Sequence, residues 1–288
     1  MKQKIEKYLE LTKPKVTLLN LFVGVACFVL AAFPTVDLLK LASFSLMGYL
    51  VAGGCGVLNS VYDQDVDRLM VRTSRRAIPS GHVKASSALM FGALLIGSSF
   101  ALSLLMFNPL TSLMMGLGIV FYIIVYTIWL KRKSPWNVVV GGFAGCFAAL
   151  AGWTAAVNAV GLLPLLVAAL DFLWTPGHLW GLAIKKTKEY KFAKIPMLPV
   201  TAGIKKASLI VFWLNLFTIV FSLSLSMLGL TGSIYLTIAC VAGIGFLLQN
   251  RSLLKQSSEA NGFKVFAASM PYLACLMLGL IVDKIILV

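Results

Sequence analysis

The chain has 288 residues, 59% of them hydrophobic and only 12% charged, with a mean hydropathy of +0.92. A soluble domain of this size carries about 25% charged residues, so the composition excludes one and points to a polytopic membrane protein. The net charge of +15 would suit nucleic acid. Its distribution argues for no nucleic-acid partner, because the basic residues recur in alternate loops between apolar runs.

A bilayer core takes roughly 20 apolar residues per helix. About nine such segments can be placed, near 16–34, 39–58, 85–107, 110–130, 137–157, 161–184, 207–229, 232–249 and 263–286. The runs are continuous rather than alternating, which argues against a barrel. The expectation is therefore an all-α polytopic membrane protein, a single domain over 1–288 built as a bundle of about nine transmembrane helices. Lysines and arginines fill the N-terminus and the loops at 68–84, 131–133, 185–206 and 251–264, and only Lys40 and Lys284 lie near the opposite face. The positive-inside rule then puts the N-terminus in the cytoplasm and the C-terminus outside, with anionic lipid of the bilayer as a second partner for the basic face. Five scattered cysteines without a CxxC pair read as small hydrophobes. The first apolar run is long enough to span, and Glu6 and Glu10 argue against a mitochondrial presequence. A prokaryotic plasma membrane is the expected location.

In chain order, residues 2–13 set Ile5, Tyr8, Leu9 and Leu11 among Lys2, Lys4, Lys7 and Lys13. That pattern suits a short interfacial helix as well as it suits a solvated tail. Pro14 opens the first span, where a missing N–H costs little. The second span ends in Gly53-Gly54-Cys55-Gly56, small residues that allow close helix approach. The stretch Asn59–Gly81 follows, with three carboxylates and four arginines. On a continuing helix Asn59, Asp63 and Asp67 make one polar stripe, with steps of about 6 Å. Two carboxylates and an amide suit a hard cation such as Mg2+ that fills its other positions with water and phosphate oxygens. Asp65 points away and reads as structural. Arg72, Arg75 and Arg76 add guanidinium groups that bind phosphate bidentately.

Tyr122 and Tyr126 precede the basic anchor Trp129-Leu130-Lys131-Arg132-Lys133. The sixth segment carries Asp171, Trp174, Pro176, Gly177, His178 and Trp180. Pro176-Gly177 is expected to break or kink the helix, and broken helices at membrane depth line cavities. His178 beside that break is a functional candidate, whereas Asp171, two turns earlier, fits a functional or a structural role equally. In the loop at 185–206 Glu189 is the one acid among seven lysines. Like the Asn59/Asp63/Asp67 stripe it follows an even-numbered span, and both loops run into an Ile-Pro step, Ile78-Pro79 and Ile195-Pro196. The echo suggests two halves facing each other across a cavity. The last three segments read as scaffold.

The spacing Asn59-x3-Asp63-x3-Asp67 resembles the first aspartate-rich motif of the UbiA-like intramembrane prenyltransferases. A longer set of strings is similar to the protoheme IX farnesyltransferase (heme O synthase) branch of that superfamily. It comprises Leu11-Thr12-Lys13-Pro14, Asp63-x-Asp65-x-Asp67-Arg68-Leu69-Met70-x-Arg72-Thr73, Pro79-Ser80-Gly81, Tyr126-Thr127-x-x-Leu130-Lys131-Arg132, Gly152-Trp153, Trp174-Thr175-Pro176-x-His178 and Ile195-Pro196-Met197-Leu198-Pro199. Departures are Ala148-Ala149, Gly177 and Ala77, where the family usually has proline, and Glu189, where it usually has Asp.

The resemblance implies a cavity open to the cytoplasmic side and transfer of farnesyl from farnesyl diphosphate to a vinyl group of heme B. Mg2+ would be held by Asn59, Asp63 and Asp67, with Glu189 as a further ligand. Arg72 and Arg76, with Lys131 or Lys188, would bind the diphosphate. Tyr126 and Trp174 would line the substrate site, and His178 would ligate the heme iron or orient the porphyrin. Arg72 or Arg76 could serve the heme propionates instead. Downstream heme A synthase or oxidase assembly proteins are the implied partners. The rival readings are a UbiA-like enzyme with an aromatic or lipid acceptor, which gives His178 no role, and a transporter, which gives the stripe none.

Overall fold

The computed structural model describes residues 2–286, with side chains from residue 5 onward. A surface helix α1 (Lys2–Leu11) leads into α2 (Pro14–Ala32) and α3 (Leu38–Tyr62), and a short α4 (Gln64–Leu69) follows. Next come α5 (Ala85–Met106), α6 (Pro109–Leu130), α7 (Asn137–Val157) and α8 (Leu162–Lys185). Two short helices, α9 (Thr187–Phe192) and α10 (Leu198–Thr201), lead to α11 (Ile204–Met227), α12 (Ser233–Lys255) and α13 (Glu259–Ile286). Among the described residues, nine of these are long and apolar enough to cross a membrane, as expected. Their outer faces carry exposed apolar side chains such as Leu94, Leu105, Val241 and Ile244. Such surface needs lipid rather than water around it.

Between apolar helices in lipid, association depends on close packing and a few hydrogen bonds. Both are present. A Cβ on Gly152 would run into the carbonyl of Gly24, so α2 and α7 touch backbone to backbone. Asn215 Nδ2 donates to Asn250 Oδ1 at 2.6 Å across α11 and α12, and Ser103 and Ser112 share a 2.7 Å bond between α5 and α6. On the face away from the basic loops, Asp283 accepts from the amides of Gly232 and Tyr235 at 2.6 and 3.0 Å, capping α12 where a negative charge is favoured. Helix α1 is amphipathic: Leu11 is buried with Val57 and Ile78, Tyr8 meets Phe91 edge-on, and Ile5 and Leu9 stay exposed. The side chains of Lys2 and Lys4, part of its expected basic set, lie outside the described residues.

Two features depart from expectation. Helix α8 does not break at Pro176-Gly177; it runs unbroken from Leu162 to Lys185. Hydroxyls compensate the turn ahead of the proline, with Thr175 donating to the Asp171 carbonyl at 2.8 Å and Thr218 to that of Leu173 at 3.1 Å. The second half of α6, Val120–Leu130, is wound as a π-helix. Its sequence is almost wholly aromatic and β-branched, residues that crowd an α-helical turn, and π segments gather at functional sites. Here the winding carries Tyr122, Tyr126 and Thr127 toward the end of α3.

Candidate active site

The polar stripe survives a change of helix. Asp63 (φ −86°, ψ 4°) is the hinge between α3 and α4. Asp63 N still bonds Asn59 O at 2.9 Å, and Asp67 N bonds Asp63 O at 2.8 Å, so the four-residue spacing persists through the hinge. Asn59, Asp63 and Asp67 therefore share one face, and each is no more than 5% exposed. Buried carboxylates need partners.

Each member of the stripe has a basic one. Lys13 Nζ donates to Asn59 Oδ1 at 2.5 Å, Lys131 bonds the Asp63 carboxylate, and Arg76 Nη1 donates to Asp67 Oδ2 at 2.8 Å. Asn59 is held from its other side, donating from Nδ2 to Thr127 Oγ1 at 3.0 Å. Lys13 reaches the stripe from a left-handed residue (φ 51°, ψ 59°) that turns the chain into Pro14. Burial, reinforced by Arg76 and Lys131, pulls its ammonium down to about 7 against the attraction of Asp63 and Asp67. Asp65 stands apart. Arg132 grips it with two bonds of 2.7 Å, donates to the Tyr62 carbonyl at 2.9 Å and lies over the Tyr62 ring. That grip holds the Asp65 carboxyl below the usual carboxylate range. Its structural role is thereby explained: it ties the hinge to the end of α6.

The stripe's donor set suits a hard cation. Among the described residues Asp63 Oδ1 is buried without a hydrogen-bond partner, as a metal ligand would be before its ion is counted. Two carboxylates and an amide oxygen meet the needs of Mg2+, which fills its remaining positions with water or phosphate oxygens. No group of three or more His, Cys, Asp or Glu side chains is placed to hold a metal among the described residues.

The other expected members are therefore not drawn to the stripe. Glu189, expected to face Asp63 and Asp67, is paired with Lys186 at 2.6 Å on its own rim, although its Oε2 is buried and partnerless. Lys188 points outward, 4.0 Å from Glu259. Arg72 is exposed, and the ion pair with Asp67 belongs to Arg76. The reason is local: residues 70–83 run as turns rather than as a helix, so the four-residue spacing of Arg72 and Arg76 does not bring them to one face. The echo between the halves is visible in the backbone, since α3 and α8 each pass into a six-residue helix.

Behind the stripe lies a cavity of about 310 Å³, within the range of small-ligand sites. Lys13, Tyr122 and Tyr126 line it beside the stripe, Phe44 and Met114 supply apolar wall, and Trp174 and His178 are further lining residues. The Tyr122 and Tyr126 rings stack at 5.8 Å, with Lys131 Nζ 5.7 Å from the Tyr126 ring. His178 stacks on Trp174 (4.2 Å) and has the Phe266 ring tilted against it (4.5 Å). Its Nδ1 lies 2.6 Å from Ser269 Oγ, and Trp174 Nε1 donates to the Ser269 carbonyl at 2.8 Å. Helix α13, read as scaffold, thus builds part of the site. Asp171 is buried with its carboxylate against Gly145, where a Cβ would collide with it.

The model of the UbiA prenyltransferase family matches residues 20–275. The chain belongs to that family. It is 38% identical to the protoheme IX farnesyltransferase of Caldivirga maquilingensis, over 98% of this chain and 100% of that one. It is 35% identical to the protein of the same name in Neorickettsia sennetsu, over 97% and 92%. Among solved folds, a UbiA homolog from Archaeoglobus fulgidus bound to DMAPP and Mg2+ aligns with a TM-score of 0.74 at 18% identity, over 94% of this chain and 99% of that one. A structure described for digeranylgeranylglyceryl phosphate synthase aligns with a TM-score of 0.77 at 22% identity, over 98% and 99%. Family membership makes this a multi-pass membrane prenyltransferase and removes the transporter reading.

Sequence reasoning missed three residues of the site. Lys13 stood inside a family-like string without a role, and its place just before the Pro14 helix start was the available signal. Thr127 likewise stood in a family-like string without a role, and Ser269 gave no signal, because it acts on a residue 91 positions away.

Proposed function

We propose that this protein transfers the farnesyl group of farnesyl diphosphate to a vinyl group of heme B, forming heme O and diphosphate, in a prokaryotic plasma membrane with the basic loops on the cytoplasmic side. The observation that carries the reading is the Asn59/Asp63/Asp67 stripe with its three cations, one of which, Lys13, also lines an apolar cavity that Trp174 and His178 border. The high identity to protoheme IX farnesyltransferases supports heme as acceptor.

Lys13, Lys131 and Arg76 are placed to bind diphosphate oxygens, and fixed positive charge there stabilises the leaving group as its bond to carbon breaks. Asp63 and Asp67, with Asn59, would hold Mg2+, which supplies further charge neutralisation at the diphosphate. Glu189, whose Oε2 is buried and partnerless, would be an additional oxygen donor, and Lys188 a peripheral cation. Ionisation sends the C–O electron pair to diphosphate and leaves an allylic cation, shielded from water by the apolar wall. The vinyl π-electrons form the new C–C bond, and water adds to the resulting porphyrin-side cation, releasing one proton. Tyr126 and Trp174 border the reacting groups, and Arg72 beside Arg76 suits an anionic heme propionate.

An aromatic-acceptor enzyme would use the same stripe but would have no use for His178. Membranes carrying the protein are supplied with farnesyl diphosphate and equal amounts of heme B and an aromatic acceptor such as 4-hydroxybenzoate. Heme O as the prenylated product is expected; a prenylated aromatic acid alone overturns the reading.

A further inference from the structure

His178 and Ser269 share more than a contact. Ser269 Oγ lies 2.6 Å from His178 Nδ1 and 2.7 Å from the carbonyl oxygen of Phe266, one turn earlier on α13. A hydroxyl has one proton to give. Spent on Nδ1, it would leave Oγ and the Phe266 oxygen facing each other at 2.7 Å with no hydrogen between them. Given to the Phe266 carbonyl, it leaves Oγ as an acceptor, and Nδ1 must then carry the ring proton. Only this second arrangement satisfies both short distances, so Nδ1 carries a proton, and in the neutral form of the ring the lone pair is on Nε2.

The rest of the pocket fixes the ring that bears this lone pair. Trp174 stacks on it, Phe266 lies tilted against it, and Trp174 is itself tied to the Ser269 backbone through Nε1. Ser269 has no exposed surface, and His178 is 7% exposed and lines the cavity. A metal-ligating histidine ordinarily donates its other N–H to a partner that sets tautomer and orientation. Neutral imidazole is also the common axial ligand of heme iron.

We infer that Ser269 is a positioning residue: it holds His178 with Nε2 free to ligate the iron of an iron porphyrin bound in the cavity. The inference rests on the heme reading of the proposed function and adds to it a ligand atom and the residue that prepares it. The bond is a dative one, from the Nε2 lone pair to iron, with no change of oxidation state.

The test is a titration of ferric heme B into the purified full-length protein in detergent, following the Soret band, with farnesyl diphosphate binding measured in parallel by calorimetry. The wild type is expected to show a nitrogen-ligated spectrum, and His178→Ala to lose it and recover it with added imidazole. Ser269→Ala, which keeps the backbone carbonyl that Trp174 uses, should weaken heme binding about 10–100-fold, the usual effect of removing such a partner, with unchanged farnesyl diphosphate affinity. Ser269→Thr should restore it. A Ser269→Ala protein with wild-type heme affinity and spectrum overturns the inference, and so does equal loss of heme and farnesyl diphosphate binding. Should Ser269→Thr prove too bulky to fold, the Ser269→Ala affinities and the His178→Ala spectrum with and without imidazole still decide whether His178 is the ligand and whether Ser269 prepares it. Failure of the wild type to bind heme at all overturns the heme reading itself, whereas heme binding that is indifferent to His178 overturns only the present inference.

Discussion

Lys131 and Asp63 are bonded across 68 positions of sequence, joining the end of the fourth span to the hinge after the second. Two residues further along, Asp65 makes an outwardly similar pair with Arg132, yet its side chain is 62% exposed where that of Asp63 is 3%. The two should therefore respond differently to removal. Asp63→Ala is expected to lower prenyl transfer at least about 100-fold while the protein still inserts, because it removes a metal ligand and strands Lys131. Asp65→Ala should cost less than about 1 kcal/mol, the range of exposed ion pairs, and retain most activity. Turnover in purified protein, alongside gel filtration for folding, separates them.

Lys13 should matter for diphosphate more than for fold. A charge-assisted hydrogen bond contributes about 1.5–3 kcal/mol, so Lys13→Met should weaken farnesyl diphosphate binding about tenfold or more in a calorimetric titration. The ammonium is pulled down to about 7. Above that pH Lys13 has lost its proton and must regain one to serve as a cation, so affinity should fall as pH rises through about 7. The slope should flatten in Lys13→Met. Equal slopes in the two proteins would remove Lys13 from the diphosphate site.

What could be read from residues alone follows from the range of the forces involved. The nine spans were legible because each is a run of apolar residues long enough to cross lipid, and the stripe because Asn59, Asp63 and Asp67 recur at helical spacing. Arg72 and Arg76 were read alike, yet Arg76 pairs with Asp67 and Arg72 is exposed, because direction within a short turn depends on backbone geometry that composition does not encode. Glu189 and Lys188 were drawn toward the stripe by analogy between the halves, but Lys186 and Glu259 are nearer partners. Pro176 was read by its local rule, which the hydroxyls of Thr175 and Thr218 override. The Thr127 and Ser269 contacts join distant helices and leave no periodic trace.

Backbone contact between α2 and α7 offers a stability test away from the chemistry. A Cβ on Gly152 has no space beside the Gly24 carbonyl, so Gly152→Ala must push two helices of the cavity wall apart. Overpacking of this kind costs about 1–3 kcal/mol or more. A lowered thermal midpoint in detergent is expected, with Gly97→Ala, which meets nothing within 4 Å, as the neutral comparison.

The most direct measurement is product formation by the purified protein from heme B and farnesyl diphosphate, with heme mass and released diphosphate followed together. The account predicts heme O and diphosphate in equal amounts with Mg2+, none in EDTA, and recovery when Mg2+ is restored. Heme O formed at full rate in EDTA, or diphosphate released while heme B stays unmodified, would contradict it.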